Sequence, residues 1–281
     1  MQQQLKYRLI KNAIFKGSIA FLAFLTAVPL VFILYYIVSK GIGVISWDFL
    51  FNLPKPTGEG VPGIANAIVG TLILIALSCI IAVPISIIVG IFLSESKGSV
   101  MTYWVRLSVE ILQGIPSIVI GIIAYLWIVE PMGGFSTISG GIALGIMMIP
   151  FVVRSTEETL KLIPSSYREA SLALGVPYYK TILKVILPSG LGGIVTGTMI
   201  SVARIAGETA PLLFTAFGSP YLNLNISDPV HALPLLIFKY ATSPYDDWVA
   251  MAWGASFILI VFILLMNLMA KLVVKRWEIQ F

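Results

Sequence analysis

Arg168–Pro188 reads REASLALGVPYYKTILKVILP, and it interrupts a chain that is otherwise oily enough to live in a lipid bilayer. Ser166 and Glu169 have the S-x-x-E spacing of a capping box, in which two side chains satisfy orphan amides of a first helical turn. Tyr167, Ala170, Ser171 and Leu174 recur at the spacing of one helix face. Gly175 suits a left-handed C-terminal stop. Pro177 then opens a second short helix with Lys180 and Lys184 four apart, and Pro188 ends it. The pattern predicts a small helical hairpin whose residues Ala170, Ser171 and Ala173 permit close approach by another surface. Two physical readings stand side by side: a knob for a partner's groove, or an amphipathic loop resting on lipid headgroups.

The surroundings of this hairpin set the fold class. Of 281 residues, 58% are hydrophobic and 11% charged, with a mean hydropathy of +0.97. Soluble domains carry about 25% charged residues, so a water-soluble globule is excluded and an all-α polytopic membrane protein is expected. A spanning helix needs about 20 mostly apolar residues. Six such runs are predicted at Ser18–Ser39, Ile64–Leu93, Leu107–Val129, Thr137–Val153, Leu191–Phe217 and Trp248–Leu272, the second bent or tilted at Pro84. The first run is longer than the 7–15 residues of a signal-peptide core and no small-residue cleavage site follows it, so it is read as a retained span. The outer segment after the fifth run is predicted to hold a short helix near Pro229–Tyr240.

Basic residues then orient the bundle. The N-tail has Lys6, Arg8, Lys11 and Lys16, and the loop after span two has Lys97 and Arg106. The loop after span four has Arg154, Lys161, Arg168, Lys180 and Lys184, and the C-tail has Lys271, Lys275 and Arg276. Only Lys40, Lys55 and Lys239 fall on the other side, so both termini and the hairpin are expected to be cytoplasmic. A net charge of +5 laid out beside apolar spans speaks of topology, not of nucleic acid. Cys79 lies inside span two and is read as packing. His231 has no Cys or His at ligand spacing, so no metal site is expected.

EASLALGVPYYKTILKVILP resembles the cytoplasmic loop of ABC importer permeases, which runs E-A-A, three residues, Gly, nine residues, Ile, one residue, Leu-Pro. The matching positions are Glu169, Ala170, Gly175, Leu187 and Pro188; Ser171 replaces the second Ala and Val185 the Ile. GIANAIVGTLILI, GIPSIVIG, RSTEETLKLIP, ARIAGETAPLLFTA and LPLLIFKYATSP are similar to the PstA-type permeases of phosphate importers. Together they span about Gly63 to Lys275. The resemblance implies a coupling loop at 154–190 that docks on an ATP-hydrolysing subunit through Glu169, Ala170, Ser171, Leu174 and Gly175. It also implies two ATP-binding subunits, a second, PstC-like permease and an extracytoplasmic phosphate-binding protein. The chain is divided accordingly into 1–60, a tail with the first span and an outer loop, and 61–281, the permease core.

Arg204 is expected close to the middle of span five, with Glu208 four residues on and on the same face. A central Arg costs roughly 2.5–3.5 kcal/mol on insertion scales, so it must face protein or water. It is either a buried ion pair tying helices together or a station on an anion path, where its forked donors suit phosphate oxygens and Glu208 blunts its affinity so that the anion can leave. In the family this Arg is considered part of the phosphate path, and the resemblance favours that role. Gly207, Thr209 and Pro211 would let the helix bend. Glu110 is read as an interfacial carboxylate near Arg106, with a transport role the alternative. Ser117, after Pro116, and Asn66, at the outer end of span two, are candidate path residues with ordinary structural alternatives. Met147 and Met148 are read as packing.

No G-x-x-x-x-G-K-[ST] occurs, so the chain has no phosphate-cradling loop of its own. ATP and Mg are expected on a separate subunit, and no cofactor is expected on this one. There is no G-x-S-x-G, no H-E-x-x-H and no His-bearing span, and no buried His or Lys is expected to activate a nucleophile. The readings are therefore a permease subunit importing phosphate, a permease for molybdate, tungstate or sulfate, or a membrane enzyme acting on lipid phosphates. The last leaves the hairpin unexplained.

Overall fold

The computed structural model describes residues 2–56, 58–96 and 98–275, so Lys97 and Arg276 of the charge count lie outside the described residues. Long helices carry the fold: α1 (Gln2–Gly41), α3 (Ala65–Glu95), α6 (Thr137–Leu162), α8 (Tyr178–Ala206) and α11 (Asp246–Lys275). Between them lie α2 (Trp47–Phe51), α4 (Val100–Gly114), α5 (Ser117–Met132), α7 (Ser165–Ala173), α9 (Ala210–Thr215) and α10 (Leu233–Ala241). Among the described residues five helices are long and apolar enough to cross a membrane, and α4 with α5, taken as one bent span, make a sixth. The core beneath them is apolar, built on Leu74, Leu144, Met148, Val152, Ile205 and Leu212, with Cys79 packed against it.

The seam at the centre is between α3 and α6. Ser78 Oγ donates to the Gly141 carbonyl at 3.0 Å and Ser86 Oγ to the Ile149 carbonyl at 3.3 Å, a constant offset of 63 residues. The two helices are therefore parallel, and α5 must carry the chain back between them. Small residues permit the close approach on the other side of α6 as well. A Cβ at Gly197 of α8 would lie 1.8 Å from Ser155 Oγ, so the small-residue stripe Gly190–Gly193–Gly197 sets that crossing. At the end where α6 begins, Gly41 of α1 packs on Trp253 and Phe257 of α11. α1 ends and α11 begins there, so the early part of α1 and the late part of α11 extend toward the hairpin end.

Several expected boundaries are corrected. The third span is not one straight helix: α4 and α5 are bent by 103°. Pro116, at φ −58 and ψ 136, lies between them with Ile115 also extended, and a proline's ring and missing N–H oppose continuation of the preceding helix. The fourth span continues past Val153 to Leu162 because Thr156, Glu157 and Leu160 are buried against neighbouring helices. Arg154 and Lys161 consequently sit on α6 and not in a loop. The fifth span is broken after Ala206 and resumes as α9. Pro188 does not end a helix; the chain runs helical from Tyr178 to Ala206, with a π turn at Ile182–Ile186 immediately before the proline. A wide turn there relieves the ring's clash with the preceding carbonyl. The expected helix near Pro229–Tyr240 is present as α10.

The hairpin itself forms with one local change. Pro164 occupies the N-cap of α7 and the helix starts at Ser165, so Ser166 falls inside the first turn and the expected capping box with Glu169 is not made. A capping box does form between Ser136 and Ser139 at the start of α6. Gly175 adopts φ +75 as a left-handed stop, and Pro177 caps the next helical turn.

Candidate functional site: two broken helices and a mid-depth arginine

Arg204 lies in the last turn of α8. Its guanidinium carbon stands 4.4 Å from the centroid of the Phe151 ring, and Phe151 is midway along α6, so the arginine sits at mid-depth of the bundle as expected. Its Nε is 3.7 Å from Glu208 Oε1, an ion pair too long to be a hydrogen bond. The Arg204 side chain is 49% exposed and Glu208 19% exposed. Within this chain the arginine thus stacks on an aromatic face and is only loosely held by its carboxylate. Half of it faces outward, in line with Thr196 and Ile200 on an exposed stripe of α8.

Gly207, Glu208 and Thr209 form the break itself. The amides of Gly207 and Glu208 bond three residues back, to Arg204 and Ile205 carbonyls, which tightens and ends the helix. Thr209 precedes α9, which Pro211 enters within its first turn. Beside it, a Cβ at Gly121 of α5 would lie 2.7 Å from Pro211 Cα, so α5 and α9 are in direct backbone contact. Both helices run toward the start of α6, where Thr215 accepts from the Ser136 N–H at 3.1 Å and from Ser139 Oγ at 2.9 Å. Ser117 is one turn before Gly121, which sets the Pro116 break level with the Gly207–Thr209 break. Ser117 is half-buried there, and Gly207 and Thr209 line a cavity of ≈ 470 Å³ with Pro234, Phe238 and Ser256. Polar backbone freed by such breaks is tolerated at membrane depth only where it meets protein or water, and paired discontinuous helices are a recurrent way to build a midplane site.

The structure separates Asn66 from this group. Asn66 is buried in the first turn of α3, where Nδ2 donates to the Ser219 carbonyl at 2.7 Å and Oδ1 accepts from the Ala67 N–H at 2.9 Å. It pins an outer segment onto α3. Glu110 is also placed differently than expected: Arg106 reaches across to Glu157 of α6 at 2.6 Å, where Lys161 also bonds at 2.5 Å, and Glu110 lies 3.7 Å from Arg154. Glu157 is buried and attracts both cations, which outcompetes an exposed partner one turn away on the same helix. Met147 and Met148 are buried as packing.

Sequence reasoning missed Phe151 and Phe217. Phe217, just beyond α9, holds a left-handed backbone at φ 59, stacks on Phe135 at 4.6 Å between centroids and carries Lys239 Nζ 5.5 Å above its ring. Adjacent Gly218 was the available signal for a turn there; nothing local announced the aromatic pairing. Of the hairpin residues, Glu169, Ala170, Leu174 and Gly175 are exposed, Leu174 at 84%. Ser171 is buried and its hydroxyl pairs with Thr181 at 2.9 Å, so it holds the hairpin closed instead of facing outward.

The fold and this site define a multi-pass helical membrane protein with broken spans and a polar hairpin at one end. The chain belongs to the family of binding-protein-dependent transport system inner membrane components, whose model matches residues 82–279. It is 42% identical over 246 residues to the phosphate transport system permease protein PstA of Xylella fastidiosa (strain Temecula1 / ATCC 700964), covering 86% of this chain and 85% of the relative. It is 37% identical over 258 residues to the probable phosphate transport system permease protein PstA of Methanocaldococcus jannaschii, covering 92% and 91%. In fold it is similar to a chain of the MetNI methionine ABC transporter in an inward-facing conformation, with a TM-score of 0.62, 21% identity, and coverage of 77% and 94%.

Proposed function

We propose that this chain is a transmembrane permease subunit of an ATP-driven phosphate importer, working with a separate ATPase and a binding protein and performing no catalysis itself. Its similarity to phosphate permeases over most of both chains supports the substrate. The observation that carries the mechanism is Arg204: at mid-depth, stacked on Phe151, half-exposed and only loosely paired. An arginine so placed cannot rest against acyl chains without a large penalty. Its open side therefore faces protein or water, and a second, PstC-like permease is the surface that completes it. The anion path then runs along this shared face, with Arg204 as a forked donor, Glu208 as the competing carboxylate that favours release, and Ser117 and Thr209 at the two helix breaks. Asn66 is withdrawn from the path because both ends of its amide are already engaged.

The hairpin, with Glu169, Ala170, Leu174 and Gly175 outward, is the docking element for an ATP-binding subunit, present twice in the assembled transporter. Residues 61–281 are read as the permease core and 1–60 as an accessory segment. The bias of Lys and Arg to the hairpin end supports a cytoplasmic position for that end and for both termini. The testing experiment is uptake of labelled phosphate into proteoliposomes holding the whole complex, with and without ATP and with molybdate as competitor. ATP-dependent uptake that molybdate does not suppress is expected. Arg204→Ala should abolish that uptake while the complex still co-purifies; normal uptake by the variant would remove Arg204 from the path.

A further inference from the structure

A carboxylate at the end of α3 ties the hairpin to that helix. Glu95 ends α3, and its side chain is only 14% exposed. Arg168 of α7, 19% exposed, donates to Glu95 Oε1 from Nη2 at 2.7 Å and from Nε at 3.2 Å, with Nε also 3.3 Å from Oε2. The same guanidinium donates from Nη1 to the Ile163 carbonyl at 3.2 Å and from Nη2 to the Leu160 carbonyl at 3.3 Å. These carbonyls belong to the C-terminal end of α6, where the last turn has no helical donors of its own. From the start of α8, the Tyr178 hydroxyl donates to Glu95 Oε2. The ends of α3 and α6, the helix α7 and the start of α8 thus converge on one arginine–carboxylate pair.

We propose that Glu95, Arg168 and Tyr178 are positioning residues: a clamp that makes the hairpin and α3 move as one body. The proposal rests on the reading of the hairpin as the ATPase-docking element and adds the route by which its displacement enters the bundle. Ile87 and Ile91 of α3 also touch the apolar core under the hairpin, but greasy contacts permit sliding. A forked, charge-assisted pair fixes direction as well as distance, and its low exposure limits competition from water. Displacement passed to α3 continues through its seam with α6, and α6 carries Phe151 beneath Arg204. The surface pair Arg154–Glu158, exposed on both sides, has no such reach, since it joins two residues of one helix.

The test measures phosphate taken up per ATP hydrolysed by the reconstituted complex, for wild type, Glu95→Gln and Tyr178→Phe. Glu95→Gln removes the charge and keeps the shape. It should still assemble and hydrolyse ATP, with the transport-to-hydrolysis ratio down by at least about tenfold, the scale set by one lost charged hydrogen bond. Tyr178→Phe, which removes one hydroxyl from a half-exposed side chain where water competes, should lower the ratio by less, about twofold to threefold. A Glu95→Gln complex with wild-type ratio overturns the clamp. So does a Glu95→Gln chain that fails to assemble while Tyr178→Phe keeps the wild-type ratio, because the contact is then a folding contact only. Absence of ATP-driven phosphate uptake in wild type itself would instead overturn the functional reading, so the two failures are distinguishable.

Discussion

At the scale of single residues, this chain uses aromatic faces and buried polar groups where a soluble protein would use water. Arg204 lies over Phe151, whose ring quadrupole attracts the cation without a second full charge. His231 shows the complementary case at the opposite end from the hairpin. It is buried against α3 and Gly218, and the Ala232 N–H donates to its Nδ1 at 3.1 Å. Burial, then the nearby Lys239 charge, push its pKa down to about 4. The folded value lies below the unfolded one of about 6.5, so the unfolded chain binds the extra proton between them. Stability from this site is therefore complete above about pH 6.5 and is lost as pH falls toward 4. Thermal unfolding of the purified complex should show a lower midpoint at pH 5 than at pH 7.5, and His231→Asn should flatten that difference. An unchanged slope in the variant would mean that another group governs it.

At the scale of elements, breaks are as informative as helices. Gly175 was legible as a stop because only a left-handed residue fits the turn between α7 and α8, and the structure gives it φ +75 with no atom within 4 Å of an added Cβ. Space is available, so substitution costs backbone strain and not a clash. Gly175→Ala should weaken coupling mildly, with a penalty of about 1 kcal/mol. Gly175→Asp adds a charge to the exposed tip and should uncouple ATP hydrolysis from transport or prevent ATPase docking. Pull-down of the ATPase together with uptake separates these outcomes; normal docking and normal uptake by Gly175→Asp would deny the tip a coupling role. The break at Pro116 was harder to read. Apolar character continues across it, and hydropathy registers composition, not the direction of the chain.

At the scale of the whole molecule, α1 begins and α11 ends toward the hairpin end, and the proposed cytoplasmic placement of that end is open to a direct test. Single cysteines in a Cys79→Ser background test this. Trp47→Cys, at the opposite end and 78% exposed, should react with a membrane-impermeant thiol reagent in intact cells. Lys11→Cys, on the exposed early part of α1, should react only after permeabilisation. The reverse pattern would invert the topology and remove the hairpin from any ATPase.

The sequence by itself determined the class, the long apolar helices, the hairpin and the mid-depth arginine, because bilayer thickness, charge cost and glycine–proline stereochemistry act through local composition. It did not determine which partner each charge would take. Arg106 chose Glu157 over Glu110, Arg168 chose Glu95, and Asn66 was drawn to Ser219. Those choices join residues far apart in the chain, and only the packing of α4 on α6, of the hairpin on the end of α3 and of the segment after α9 on the start of α3 brought the partners within hydrogen-bonding reach.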